Sequence, residues 1–144
     1  MPTKVLAVTF DCHDPARQAE FWAIALSYKV LGAYPVAGAN AVLISALSPT
    51  QEGVWGAEDL AGITVPNLLF IEVPESKVVK NRVHLDLGPE TSIEVEVERL
   101  VAAGARVLTT VQEPEGTDDP WIWTVMQDPE GNEFCVGEPM SGRA

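Results

Sequence analysis

Hydrophobic and polar residues alternate from the start of the chain. Leu6, Val8, Phe10 and Cys12 fall on one face of the segment from Val5 to Cys12, and Val5, Ala7, Thr9 and Asp11 on the other. A period of two predicts a strand with one packed face. Asp14-Pro15 then offers a side-chain acceptor for a free helix N–H, and a proline suited to the first helical position. Ala19, Trp22, Ala23 and Leu26 make one apolar stripe at helical spacing, predicting a helix to about Leu26. Tyr28–Val36 and Ala41–Leu47 read as strands joined through Ala37-Gly38-Ala39-Asn40. The stretch from Ser48 to Gly62 has loop chemistry, with Pro49, Gly53, Gly56 and Gly62 around Val54 and Trp55. Leu68–Val73 is a fourth strand, closed by Pro74.

The pattern then restarts. Arg82–Leu87 alternates, with Val83, Leu85 and Leu87 on one face and His84 and Asp86 on the other. Thr91-Ser92-Ile93-Glu94 reads as a capping box with Thr91 as the N-cap. Ile93, Val97, Leu100 and Val101 form the second helical stripe, and Gly104 is suited to end it. Arg106–Gln112, Trp121–Gln127 and Glu133–Val136 are three further strands. The order is therefore βαβββ twice. An offset of 77 residues relates Ala7 to His84 and Asp14 to Thr91, while the helical stripes need a one-residue slip. The expected fold class is α+β: one domain over residues 1–144, with module one at about 4–74 and module two at about 80–138. A helix on one face of each small sheet leaves the other face free to curve around a ligand.

Composition narrows the functions. The chain has 144 residues, of which 47% are hydrophobic, enough for a real core. Nine basic residues against 21 acidic ones give a net charge of −12. That balance argues against nucleic acid and against anionic membrane surfaces. No apolar run of about 18 residues is present to span a membrane, and no signal-peptide pattern opens the sequence. Two cysteines, Cys12 and Cys135, do not make a disulfide scaffold, so the expected location is the cytoplasm, with reduced thiols. No nucleophile elbow, Walker loop or dinucleotide fingerprint occurs.

Three stretches carry a family likeness: Val8-Thr-Phe-Asp-Cys-His-Asp-Pro with Phe21-Trp22, then Lys80-Asn-Arg-Val-His-Leu-Asp-Leu87, and Asp128-Pro-Glu-Gly-Asn-Glu-Phe-Cys-Val136. With the repeated βαβββ order, the chain resembles the vicinal-oxygen-chelate superfamily, which includes glyoxalase I, bleomycin-resistance proteins and extradiol dioxygenases. The last two stretches together resemble its glyoxalase-like domain subgroup. The resemblance covers nearly the whole chain apart from Ser48–Gly62, and it implies fold more than chemistry. It also implies a homodimer and metal ligands on the first and last strand of each module. Carried over, His84 and Glu133 match in the second module, whereas Ala7 and Leu68 stand at the positions assigned to the first. The implied four-ligand site is at most half present.

Imidazole and carboxylate suit Zn, Ni, Mn or Fe, but two protein ligands hold such a metal poorly. Asp86, Asp11, Glu72 or Cys135 could supply a third. The opposing reading is a hydrogen-bonded, metal-free His84–Glu133 pair, and it is favoured. Asp11 and Asp86 could act as bases or, more simply, as structural acceptors. Trp121 and Trp123 share a strand face and could stack a planar ligand or fill core. Trp55 could cover a pocket or a subunit contact. His13 reads as a surface residue. Lys80-Asn81-Arg82 could take an anion, but shaping the inter-module connection is preferred.

The resulting expectation is a small-molecule-binding protein of the glyoxalase-like, bleomycin-resistance kind, with a degenerate and metal-free site. The alternative is a divalent-metal-dependent lyase, isomerase or dioxygenase acting on a small oxygenated substrate. Strand alternation puts Thr9, Asp11, Phe70, Glu72, His84, Asp86, Glu133 and Cys135 on the pocket side, with Trp121 and Trp123 joining them as ligand-pocket candidates.

Overall fold

The computed structural model describes residues 2–51, 54–114, 116–141 and 143. Gly53, assigned above to the long loop, lies outside the described residues. The chain divides into two compact units, Met1–Ser76 and Lys77–Ala144.

The first unit holds β1 (Ala7–Cys12), α1 (Pro15–Leu26), β2 (Lys29–Ala33), β3 (Ala41–Ser45), α2 (Ala57–Ala61) and β4 (Asn67–Glu72). Its sheet has the order β1-β4-β3-β2. β1 runs parallel to β4, and the other pairings are antiparallel. Asp14 caps α1 by accepting the Arg17 N–H at 3.1 Å. The buried side chains of α1, chiefly Ala19, Phe21 and Trp22, pack on the sheet face that carries Phe10. Trp22 and Phe70 both stack against Phe10, with centroids at 5.5 and 5.2 Å.

That packing corrects one strand assignment. Phe70 is fully buried on the helix side of its sheet, not in a pocket. The parallel register pairs Val8 with Leu68, Phe10 with Phe70 and Cys12 with Glu72, and laterally paired residues share a face. Leu68 and Glu72 therefore belong with Phe70, and the free face of β4 carries Asn67, Leu69 and Ile71 instead. Glu72 sits at the strand end, where Asn40 Nδ2 donates to its carboxylate at 2.6 Å.

The second unit holds β5 (Asp86–Leu87), α3 (Ile93–Ala103), β6 (Arg106–Gln112), β7 (Trp121–Gln127) and β8 (Glu133–Pro139). Its sheet order, β5-β8-β7-β6, repeats that of the first, with the parallel pair at one edge. β5 is shorter than the expected Arg82–Leu87 strand, although the Cys135 N–H still reaches Leu85 O at 3.0 Å. Val83, expected on a packed face, is 79% exposed. The cap of α3 is Ser92, which accepts the Val95 N–H at 3.3 Å, rather than Thr91. The one-residue slip between the helical stripes thus already occurs at the cap. Gly104 ends α3 at φ +124, a conformation that disfavours a side chain. Phe134, Val136, Met126 and Leu100 form the dry centre of this unit.

The long loop is not wholly irregular, because it contains α2. Asp59 organises it: its carboxylate accepts N–H bonds from Thr50 and Gly56, both at 2.9 Å, which hold its pKa below the ordinary carboxylate range. Trp55 is half-buried just before this helix.

Candidate functional site

In the second unit, sheet register decides which side chains meet. Asp86 pairs with Cys135 across the parallel β5–β8 edge. Cys135 pairs with Val125 and Gly137 with Trp123 across β7–β8. Residues two apart share a face, so His84, Asp86, Cys135, Gly137, Trp121 and Trp123 look out from the side opposite α3. The helix side takes Phe134, Val136 and Met126, all at 0% exposure.

These side chains border a cavity of about 550 Å³, together with Leu87, Gly88 and Glu113. The size is that of a small-molecule site. Trp121 is 45% exposed, which is more than a core tryptophan shows. Glu113 fixes the rim, because its Oε2 accepts the Trp121 N–H at 2.7 Å. Gly137 makes room for the two indoles. A Cβ there would lie 3.2 Å from Trp123 Cβ and 3.6 Å from Trp121 Cε3.

The polar wall consists of three groups. His84 Nε2 lies 3.3 Å from Asp86 Oδ1. One ligating atom from each of His84, Asp86 and Cys135 falls within 4.8 Å of the other two. Burial, then the Asp86 charge, push the Cys135 thiol above the ordinary thiol range, with Lys80 opposing them.

Glu133 is engaged elsewhere. Lys77 Nζ donates to its Oε1 at 2.8 Å and the Asn81 N–H to its Oε2 at 3.0 Å. Burial is the largest single influence on this carboxyl and pushes its pKa up, but Lys77 and Asn81 together bring it below the usual value. Both oxygens of Glu133, expected as a metal ligand, are thus occupied by the chain's own donors. Asn81 also donates through Nδ2 to Asn132 at 2.9 Å, so this short basic segment shapes the connection leading into β5.

The first unit offers no comparable set among the described residues. Thr9 and Asp11 are exposed on the free face of β1. The register also corrects the counterpart of Glu133. Ala7 pairs with Asn67, not Leu68, and Asn67 is buried and accepts the Ser45 hydroxyl at 2.5 Å. Pro74 stands two residues beyond β4 whereas Pro139 is the last residue of β8, so counting back from both prolines misaligns the strands by one. His13 is exposed and bonds to Glu75 O at 2.9 Å.

The Asp128–Val136 motif is structural where it is most distinctive. Asp128 Oδ1 accepts the N–H groups of Glu130 and Asn132 at 2.9 and 3.0 Å, and Gly131 adopts φ +88. The motif is the turn that sets β8 against β7. Sequence reading missed Gly137, Glu113, Leu87 and Gly88 as pocket residues. A glycine inside a strand signals close approach of a neighbour and could have marked Gly137, but nothing local marks Glu113.

The family described as Glyoxalase-like domain matches this sequence over residues 7–137. No curated protein matches it. Solved structures do. A glyoxalase/bleomycin resistance protein/dioxygenase family enzyme from Burkholderia phytofirmans superposes with a TM-score of 0.59 at 16% identity, covering 91% of this chain and 94% of its own. The trypanothione-dependent glyoxalase I of Leishmania major gives 0.60 at 17% identity, covering 94% and 86%. A point mutant of the fosfomycin resistance protein FosX of Listeria monocytogenes, complexed with Mn(II) and 1S,2S-dihydroxypropylphosphonic acid, gives 0.58 at 11% identity, covering 94% and 92%. At these identities the likeness is one of fold.

Proposed function

Because the chain belongs to the glyoxalase-like domain family, within the vicinal-oxygen-chelate superfamily, we propose that it binds a small, planar or apolar organic molecule bearing an oxygen function. The site is the second unit's cavity. The observation that carries this reading is the wall of Trp121 and Trp123 facing His84, Asp86 and Cys135 around about 550 Å³. Aromatic faces supply apolar contact and stacking, and the few polar groups opposite orient a ligand.

The inherited metal pair does not fit a metal well. His84 is available, but Glu133 would have to leave Lys77 and the Asn81 N–H before it could ligate. Breaking hydrogen bonds to a charged group in a largely desolvated place costs roughly 1.5–3 kcal/mol each. The reading is therefore of a binding protein whose ancestral His84–Glu133 site is degenerate.

The same reading includes a homodimer in the cytoplasm. Val78, Val79 and Val83 are 90, 74 and 79% exposed on the segment entering β5, and apolar surface of this kind is normally covered. Among the described residues no helix is long and apolar enough to cross a membrane, and both cysteines are free thiols.

The test is tryptophan quenching by 4-nitroanisole, a neutral planar probe, on metal-stripped protein. Saturable quenching that weakens in Trp121→Ala is expected. Linear, purely collisional quenching, unchanged by that substitution, would refute the reading. Trp121 is exposed enough for the variant to fold.

A further inference from the structure

We propose that His84, Asp86 and Cys135 form a binding site for one divalent cation of borderline softness, such as zinc or cobalt(II). This site shares His84 with the expected His84–Glu133 pair but replaces Glu133 by Asp86, the first residue of β5, and by Cys135, two residues beyond Glu133 on β8. It rests on the pocket reading in one respect, since all three residues also border the tryptophan-lined cavity.

Asp86 and Cys135 are lateral partners on adjacent parallel strands, and His84, just ahead of β5, borders the same cavity. Their ligating atoms already lie within 4.8 Å of one another. Around a zinc ion, bonds of about 2.0–2.3 Å would bring them to roughly 3.3–3.8 Å apart. The required contraction of about 1 Å is within side-chain rotation. His84 and Asp86 are exposed enough to make it, with side chains 38 and 77% accessible.

The donor types suit such an ion. Imidazole nitrogen, carboxylate oxygen and thiolate sulfur are all zinc ligands, and three protein ligands with one open position is the arrangement of reactive rather than purely structural zinc sites. The sulfur favours zinc or cobalt over magnesium or calcium. On binding, the Cys135 S–H bond breaks, its proton passes to solvent, and the sulfur electron pair forms the metal bond. A carboxylate and a thiolate then balance the two positive charges. Unlike Glu133, none of the three is held by a lysine ion pair among the described residues. Among those residues this is also the one group of three ligating side chains able to close on an ion.

The test is titration of metal-stripped protein, purified without a metal-affinity tag, with cobalt(II). A thiolate-to-cobalt charge-transfer absorption saturating at one equivalent is expected. Cys135→Ser should abolish that band. His84→Ala and Asp86→Asn should each weaken cobalt binding by about tenfold or more, equivalent to roughly 1.4 kcal/mol. Glu133→Gln should leave the band in place, with circular dichroism confirming that each variant is folded. Absence of the band in wild type would overturn the proposal. So would a band that survives Cys135→Ser, or one that is lost in folded Glu133→Gln but kept in Asp86→Asn. Quenching by 4-nitroanisole in the metal-stripped protein reads the pocket separately. Quenching without a cobalt band removes the metal site and leaves the pocket, and a band without quenching does the reverse.

Discussion

Lys77 holds Glu133 through an ion pair of 2.8 Å, with the lysine side chain 22% and the glutamate 9% exposed. This carboxylate fastens the segment that leads into β5, with Lys77 on one oxygen and the Asn81 N–H on the other. The lysine charge thereby neutralises a carboxylate that is largely removed from solvent.

Removing Lys77 should destabilise the protein and change its acid limb. The folded pKa of Glu133 lies below its ordinary value of 4.5. Its contribution to stability is thus fully present above about pH 4.5 and lost as pH falls through the folded pKa. Without Lys77, the upward push of burial meets less opposition, and the loss begins at higher pH. Lys77→Ala should cost about 1–3 kcal/mol at pH 7 and less below pH 4. Urea midpoints measured against pH check both statements. An equal difference at pH 7 and pH 3.5 would show that the pair contributes nothing through charge.

Asp128 should matter for folding and not for chemistry. It is 2% exposed and its Oδ1 accepts two backbone N–H groups in the β7–β8 turn. Asp128→Ala leaves both donors without that acceptor and should cost roughly 2–4 kcal/mol. Asp128→Asn retains an acceptor and should recover a large part of it. Denaturant unfolding of the two variants measures this order.

Gly137→Ala should act on the pocket. The added methyl would meet Trp123 Cβ at 3.2 Å and the Ile122 carbonyl at 3.4 Å, so Trp123 must shift. Overpacking of this kind costs roughly 1–3 kcal/mol. Binding of 4-nitroanisole should weaken by about tenfold, read by the same quenching titration.

Light scattering should find a dimer at micromolar concentration. Substituting Val78, Val79 and Val83 together by serine should shift it toward monomer with little change in unfolding midpoint, because these side chains contact mainly solvent within the chain. A monomeric wild type would contradict the homodimer.

The strand pattern is readable where the two faces differ. In β7 and β8, tryptophan and cysteine alternate with Met126, Phe134 and Val136, and the observed register places the first set together opposite α3. In β4 the run Asn67-Leu-Leu-Phe-Ile is apolar on both faces. Alternation has no contrast there, and it puts Phe70 and Glu72 on the wrong side. The cap of α3 moves by one residue because Thr91 and Ser92 are both competent N-caps. The capture of Glu133 by Lys77 links residues 56 apart in sequence, a relationship no local pattern encodes. The pocket's aromatic wall is legible as a pair, whereas Gly137 and Glu113, which make space for it and hold it, become visible only through strand pairing.

The most direct test of the small-molecule reading is amide NMR mapping of 4-nitroanisole on isotope-labelled, metal-stripped protein. Saturable shifts are expected mainly at Leu87, Gly88, Trp121, Trp123, Cys135 and Gly137, including the two indole N–H signals. Shifts centred instead on the apolar hollow of the first unit, at Ala23, Val30 and Val42, or no saturable shifts at all, would contradict it.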